Sequence, residues 1–136
     1  MAENTRIYLS VMFGSALGSV ARYLCSLALL SAFGPAFPWG TLAVNVLGSF
    51  LIGFYATLTE AGGRMLASPA HRQFVLAGFC GGFTTFSVFS LETIFLIESR
   101  AFMLAAANVV VSLILWLIAV WLGYRIGARL NRLKGS

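Results

Sequence analysis

The chain has 136 residues, 60% of them hydrophobic and 10% charged, with a net charge of +5. Soluble domains carry about 25% charged residues, so this composition excludes an ordinary water-soluble fold and places the chain in a bilayer. The length leaves no room for a soluble domain beside the spans. The basic residues gather at the ends of apolar runs, where headgroups and the positive-inside bias account for them better than nucleic acid does.

The first apolar run covers residues 7–32. It is too long for a signal h-region and is read as a retained span. Gly14 and Gly18 form a GxxxG pair, which suits close helix packing within the chain or between two copies. Arg22 lies inside this run, either snorkelling toward an interface or serving a function. The sequence "FGPAFPWG" then breaks helix with two prolines and two glycines.

The second run covers residues 40–59. Thr41, Asn45 and Ser49 recur every four residues and share one helix face. A carboxamide in hydrocarbon must find partners or water, so Asn45 is either helix–helix glue or a donor lining a pore. The connection "EAGGRMLASPAHR" follows, with His71 as a lone, solvated loop histidine.

The third run covers residues 73–97 and contains "GFCGGFTTFSVFSLE", residues 78–92. Gly78, Gly81, Gly82, Thr84 and Thr85 are poor helix material, and a break is expected near residues 81–85. Non-helical backbone at membrane depth survives where it is buried in protein or lines a wet cavity. A broken helix frees carbonyls that can coordinate hard cations, and Gly81 and Thr84 bracket the break. Phe86 and Phe89 are three apart and project from one helix face, interleaved with Ser87 and Ser90. A ring presented edge-on offers an anion weak stabilisation without a fixed charge. That suits a site which must bind and release quickly. Glu92 is the one carboxylate within a span. It could approach the far interface, end a polar path, or pair with Arg22.

After "ESRA" the fourth run covers residues 102–124, with Asn108 and Ser112 on one face. Gly123 and Gly127 form a second GxxxG. Cys25 and Cys80 lie in apolar runs and read as small buried hydrophobes with free thiols. Four runs of about 20 residues or more imply an all-α membrane protein. Arg6, Arg64, Arg72, Arg125, Arg129, Arg132 and Lys134 fall on one side of that layout, against Arg100 and Arg22 on the other. Seven against two favours termini in the cytoplasm.

Three segments, "GSALGSVARY", "WGTLAVNVLGSFLIG" and "GFCGGFTTFSVFSLE", resemble the Fluc/CrcB family of bacterial fluoride channels, and the four-span layout extends the likeness over nearly the whole chain. The resemblance implies an antiparallel, dual-topology homodimer of four-helix subunits in the bacterial inner membrane, with two fluoride paths at the interface. It implies passive fluoride export, and a structural sodium ion at the dimer centre held by backbone carbonyls matching Gly81 and Thr84. Asn45 matches the pore asparagine, and Phe86 and Phe89 match the rings whose edges face fluoride. Ser87, Ser90 and Ser112 match polar-track residues, Arg22 matches the vestibule arginine, and Glu92 matches the acidic end of the track. Val88 stands where many members carry threonine, at a position expected to face away from the path. Asn108 stands where some members carry tyrosine or histidine.

No nucleotide-binding loop, nucleophilic triad or metal-ligand spacing is present, so an enzyme is disfavoured. The rival readings are a proton-coupled small multidrug transporter, also four-span and carboxylate-bearing, and a non-transporting assembly protein whose polar stripes are helix glue.

Overall fold

The computed structural model describes residues 1–133, and its secondary-structure elements over them are all helices. Lys134, counted above among the basic residues, lies outside the described residues. Helix α1 spans Ala2–Phe33 and α2 spans Trp39–Leu58. The third crossing is composite. It begins with α3, Pro69–Gln73, passes through a π-helical stretch, Phe74–Cys80, and a single turn α4, Gly81–Phe83, and ends as α5, Phe86–Glu98. Helix α6 spans Phe102–Arg132. Counting the third crossing as one unit, four helices are long and apolar enough to cross a bilayer.

The boundaries follow from local chemistry. Gly34 ends α1 at φ 77°, a left-handed conformation that glycine adopts without penalty, and its N–H reaches the Leu30 carbonyl at 2.9 Å. The third crossing starts earlier than its apolar run. Ser68 caps it by accepting from His71 N at 3.2 Å, and Pro69 takes the first helical position. The link into α6 turns through Arg100 at φ 60°, closed by Ala101 N to the Leu96 carbonyl at 2.8 Å. Helix α6 continues through the basic tail to Arg132, so its last turns extend beyond the apolar run.

Packing rests on glycine. A Cβ at Gly18 would collide with the Phe79 carbonyl, and one at Gly14 would lie 3.0 Å from the Gly78 Cα. A Cβ at Gly82 would meet the Ser15 carbonyl. These contacts bring α1 backbone-to-backbone onto the first half of the third crossing. Helices α2 and α6 pair in the same way, with Gly53 against the Val120 carbonyl and Gly123 against that of Phe50. The small-residue motifs therefore serve packing within the chain. The opposite face of α1, including Tyr8, Phe13, Leu17 and Leu24, is exposed on the outside of the bundle, as expected of a surface made for lipid or another apolar partner.

One end of the bundle is laced by polar bonds. Asn131 accepts from Arg64 N at 2.8 Å and donates to the Thr57 carbonyl at 2.8 Å and to Glu60 Oε1 at 3.1 Å. Tyr55 Oη and His71 Nδ1 are 2.7 Å apart, so the loop histidine is bound to α2 rather than free in solvent. Arg72 Nε donates to Thr59 Oγ1 at 3.2 Å. The end of α6 and the connection between the second and third crossings thus share one side.

Candidate functional site

The interior of the bundle is unusually polar. Of its largest fully buried side chains, Val44, Asn108, Cys80 and Ser112, half carry an amide or hydroxyl. A second polar set, with Asn45 and Thr85 buried, lies at the interruption of the third crossing.

The interruption is two residues long. Thr84 lies at φ −89°, ψ 159° and Thr85 at φ −155°, ψ 123°, both extended. The break falls within the expected window, but the glycines do not make it. Gly81 caps the π segment in ordinary right-handed helical geometry, φ −63° and ψ −38°. The break is made by side chains that take the donors a continuous helix would use. Asn45 grips the Thr85 backbone from both sides, accepting from its N–H at Oδ1, 2.7 Å, and donating from Nδ2 to its carbonyl, 2.9 Å. Thr84 N and its hydroxyl both donate to the Cys80 carbonyl, at 3.0 and 2.8 Å. Thr85 Oγ1 then caps α5 by accepting from Val88 N at 3.2 Å.

The Gly81 and Thr84 carbonyls are among those that lose their helical partners at the break. Thr85 N would ordinarily bond the Gly81 carbonyl, and Val88 N that of Thr84, four residues back in each case. Asn45 and the Thr85 hydroxyl hold those donors instead. Gly81 is exposed, and a Cβ there would meet nothing within 4 Å. The chemistry of this donor set, neutral carbonyl oxygens without His, Cys, Asp or Glu clusters among the described residues, fits a hard cation better than zinc.

Beside the break lies a groove of about 350 Å³, lined by Asn45, Ser49, Gly81, Thr84, Phe86 and Trp116 among others. Phe86 is 68% exposed, whereas Phe89 is 6% exposed and packs inward. Their ring centroids are 5.5 Å apart at an interplanar angle of 45°. Phe89 meets Trp116 in a T-shaped contact at 4.9 Å and 71°. Ser87 Oγ lies 3.2 Å from Thr85 Oγ1, and Ser90 Oγ donates to the Phe86 carbonyl at 2.9 Å. Val88, 38% exposed, lines neither this groove nor the cavity around Glu92.

Glu92 belongs to a separate cavity of about 470 Å³, shared with Ser26, Gly34, Trp39, Thr41 and Ser99. Thr41 Oγ1 donates to Glu92 Oε1 at 2.8 Å, while Glu92 Oε2 is buried with no partner among the described residues. The Arg22–Glu92 pair considered from the sequence does not form. Arg22, part-buried on α1, lines neither the groove nor this cavity.

Ser112 is brought elsewhere. It is 0% exposed and donates to Asn108 Oδ1 at 3.4 Å. Asn108 Nδ2 donates to Thr93 Oγ1 at 3.0 Å, and Thr93 to the Phe89 carbonyl at 2.8 Å. This seam joins α6 to α5 and ends on the backbone of a ring residue. The structure therefore gathers Asn45, Gly81, Thr84 and Phe86 on one groove and sets Phe89 behind Phe86. Glu92 and Ser112 lie apart from it.

Two contributors, Thr93 and Trp116, were not singled out by sequence, and Thr85 was named only as poor helix material at the break. A signal existed for Trp116, because Asn108, Ser112 and Trp116 continue a spacing of four along α6.

The profile of the family described as "CrcB-like protein, Camphor Resistance (CrcB)" matches residues 9–124. The chain is 54% identical over 134 residues to "Fluoride-specific ion channel FluC 1" of Bradyrhizobium diazoefficiens, covering 98% of this chain and 93% of that protein. It is 50% identical over 136 residues to "Fluoride-specific ion channel FluC 1" of Rhodopseudomonas palustris, covering 100% and 96%. It is 53% identical over 130 residues to "Fluoride-specific ion channel FluC" of Opitutus terrae, covering 96% and 98%.

Proposed function

Because this chain belongs to the CrcB-like family, we propose that it is a fluoride-specific ion channel rather than an enzyme, passively exporting fluoride across the bacterial inner membrane. The observation that carries the reading is identity of about half, over essentially the full length, to proteins named for that activity.

The geometry supplies a physical rationale. Moving a small anion through hydrocarbon requires its lost hydration to be replaced, yet a fixed cation at the site would hold it too long. Asn45 uses one amide hydrogen on Thr85, and its second remains to donate. Phe86 and Phe89 offer positive ring edges. Ser87 and Ser90 are hydroxyl residues of the same helix, bonded to Thr85 Oγ1 and the Phe86 carbonyl, Ser112 lies in the seam behind, and the Thr41–Glu92 pair, in its separate cavity, would end the track. Arg22 would draw anions toward an entrance by its charge.

The groove is open along one side and Phe86 is exposed, so one chain does not enclose a path. An antiparallel homodimer would close it with a second copy. In that assembly the Gly81 and Thr84 carbonyls of both chains would hold a structural sodium ion.

The test is fluoride efflux from liposomes holding the purified protein, with chloride as the control. Selective fluoride release that falls sharply in Phe86→Ile supports the reading, and equal chloride release refutes it. Glu92 alone favours a proton-coupled small multidrug transporter. That alternative would show as drug uptake driven by a proton gradient and abolished in Glu92→Gln.

A further inference from the structure

Trp116 carries a feature that packing does not explain. Its Nε1 is buried and has no hydrogen-bond acceptor among the described residues. Buried polar groups are nearly always partnered, and an exception calls for a reason, such as strain, function or an ion. The indole N–H is a donor and cannot accept. What would satisfy it is therefore an acceptor: an anion or a water molecule.

Its place in the fold favours the anion. Trp116 lines the same groove as Asn45, Thr85 and Phe86. Its ring stands against Phe89 at 4.9 Å, and Phe89 against Phe86 at 5.5 Å. A neutral donor there adds one charge-assisted bond without the fixed charge that would trap the ion. The residue as a whole is part-buried and lines the groove, and the contact requires its buried N–H to turn toward that groove.

We propose that Trp116 is a further anion-contacting residue of the path, its indole N–H donating to fluoride as the ion passes the Phe86–Phe89 pair. This rests on the fluoride reading above. The contact forms when the ion arrives and is given up when it leaves. The indole N–H has no acceptor among the described residues, so an arriving anion supplies one.

The experiment uses the full-length protein in micelles, labelled with ¹⁵N at the indoles. Three tryptophans, Trp39, Trp116 and Trp121, give three indole signals, assigned by single Trp→Phe changes. Titration with sodium fluoride should move the Trp116 signal saturably, titration with sodium chloride should not, and Trp39 and Trp121 should stay in place. In liposomes Trp116→Phe, which keeps an aromatic ring against Phe89, should lower fluoride flux at least about tenfold, the lower edge for one hydrogen bond to a charged group. Trp121→Phe should not. A wild-type protein that conducts fluoride while its Trp116 signal ignores it overturns the proposal and leaves the channel reading intact; a water acceptor would give that result. Trp116→Phe flux within about twofold of wild type overturns it equally. A wild type that passes no fluoride removes both. Should Trp116→Phe fail to fold, the titration of unsubstituted protein still decides.

Discussion

Asn45→Ala tests how the break is held. In the intact protein the carboxamide supplies two bonds, at 2.7 and 2.9 Å, to the N–H and carbonyl of Thr85. Alanine removes both and leaves two buried backbone groups without partners. At about 1–3 kcal/mol for each orphaned group, the penalty is about 2–6 kcal/mol. The chain has a way to reduce it, because Thr85 N can return to the Gly81 carbonyl and restore a continuous helix. That rearrangement erases the free carbonyl and shifts Phe86 relative to the groove. A disturbance of even about 2 kcal/mol corresponds to roughly thirtyfold, so fluoride efflux from liposomes should fall by at least that factor. Hydrogen exchange at the Thr85 amide should change as well. An Asn45→Ala protein with flux within twofold of wild type and unchanged exchange at Thr85 would refute the clamp.

Three further outcomes are expected. Phe86→Ile should leave the fold intact, since that ring is 68% exposed in the single chain, while lowering fluoride flux at least tenfold; Phe89→Ala should also destabilise, by about 3 kcal/mol, because its ring is buried against Trp116. Gly18→Ala should collapse the yield of folded protein by forcing a methyl onto the Phe79 carbonyl, whereas Gly81→Ala, in open space and helical geometry, should fold normally; size-exclusion profiles would compare them. Asn131→Ala should raise hydrogen exchange at Arg64, whose N–H it binds, and leave fluoride flux unchanged.

Much of the bundle was legible in the sequence because a bilayer imposes length and hydropathy on every crossing. The four runs became helices at nearly the expected places. The cause of the break was less legible. "GGFTT" marked its position, and glycine was the residue expected to permit it. Yet the glycines are helical, and Asn45, forty residues earlier, intercepts the helical hydrogen bond at Thr85. A donor and acceptor brought together by tertiary packing leave no local sequence pattern. The π stretch at Phe74–Cys80 was likewise unmarked. It lies where α1 presses Gly14 and Gly18 onto neighbouring carbonyls, a constraint set by the other helix. Asn45 was read either as glue or as a pore donor. Its two bonds to Thr85 make it glue within the chain, and its remaining amide hydrogen leaves the second role available.

The proposed antiparallel dimer must also be reconciled with charge. Seven basic residues against two would fix one orientation, at about 1 kcal/mol per residue near an anionic surface. Several of the seven are drawn onto the protein. Arg64 donates to the Leu130 carbonyl at the end of α6 at 3.3 Å, and Arg72 to Thr59. Arg125 stands 5.3 Å over the Trp121 ring. Those contacts hold the three guanidinium groups in place without removing their charge, so seven against two stands, a difference of about 5 kcal/mol. A dimer interface that stabilises the mixed pair must offset that figure. A tag at the N-terminus, probed with protease from one side of sealed vesicles, should then be cut in about half of the chains. Cutting of all chains, or of none, would establish a single orientation and exclude the dual-topology homodimer. Any antiparallel pair would then need a second chain of opposite orientation.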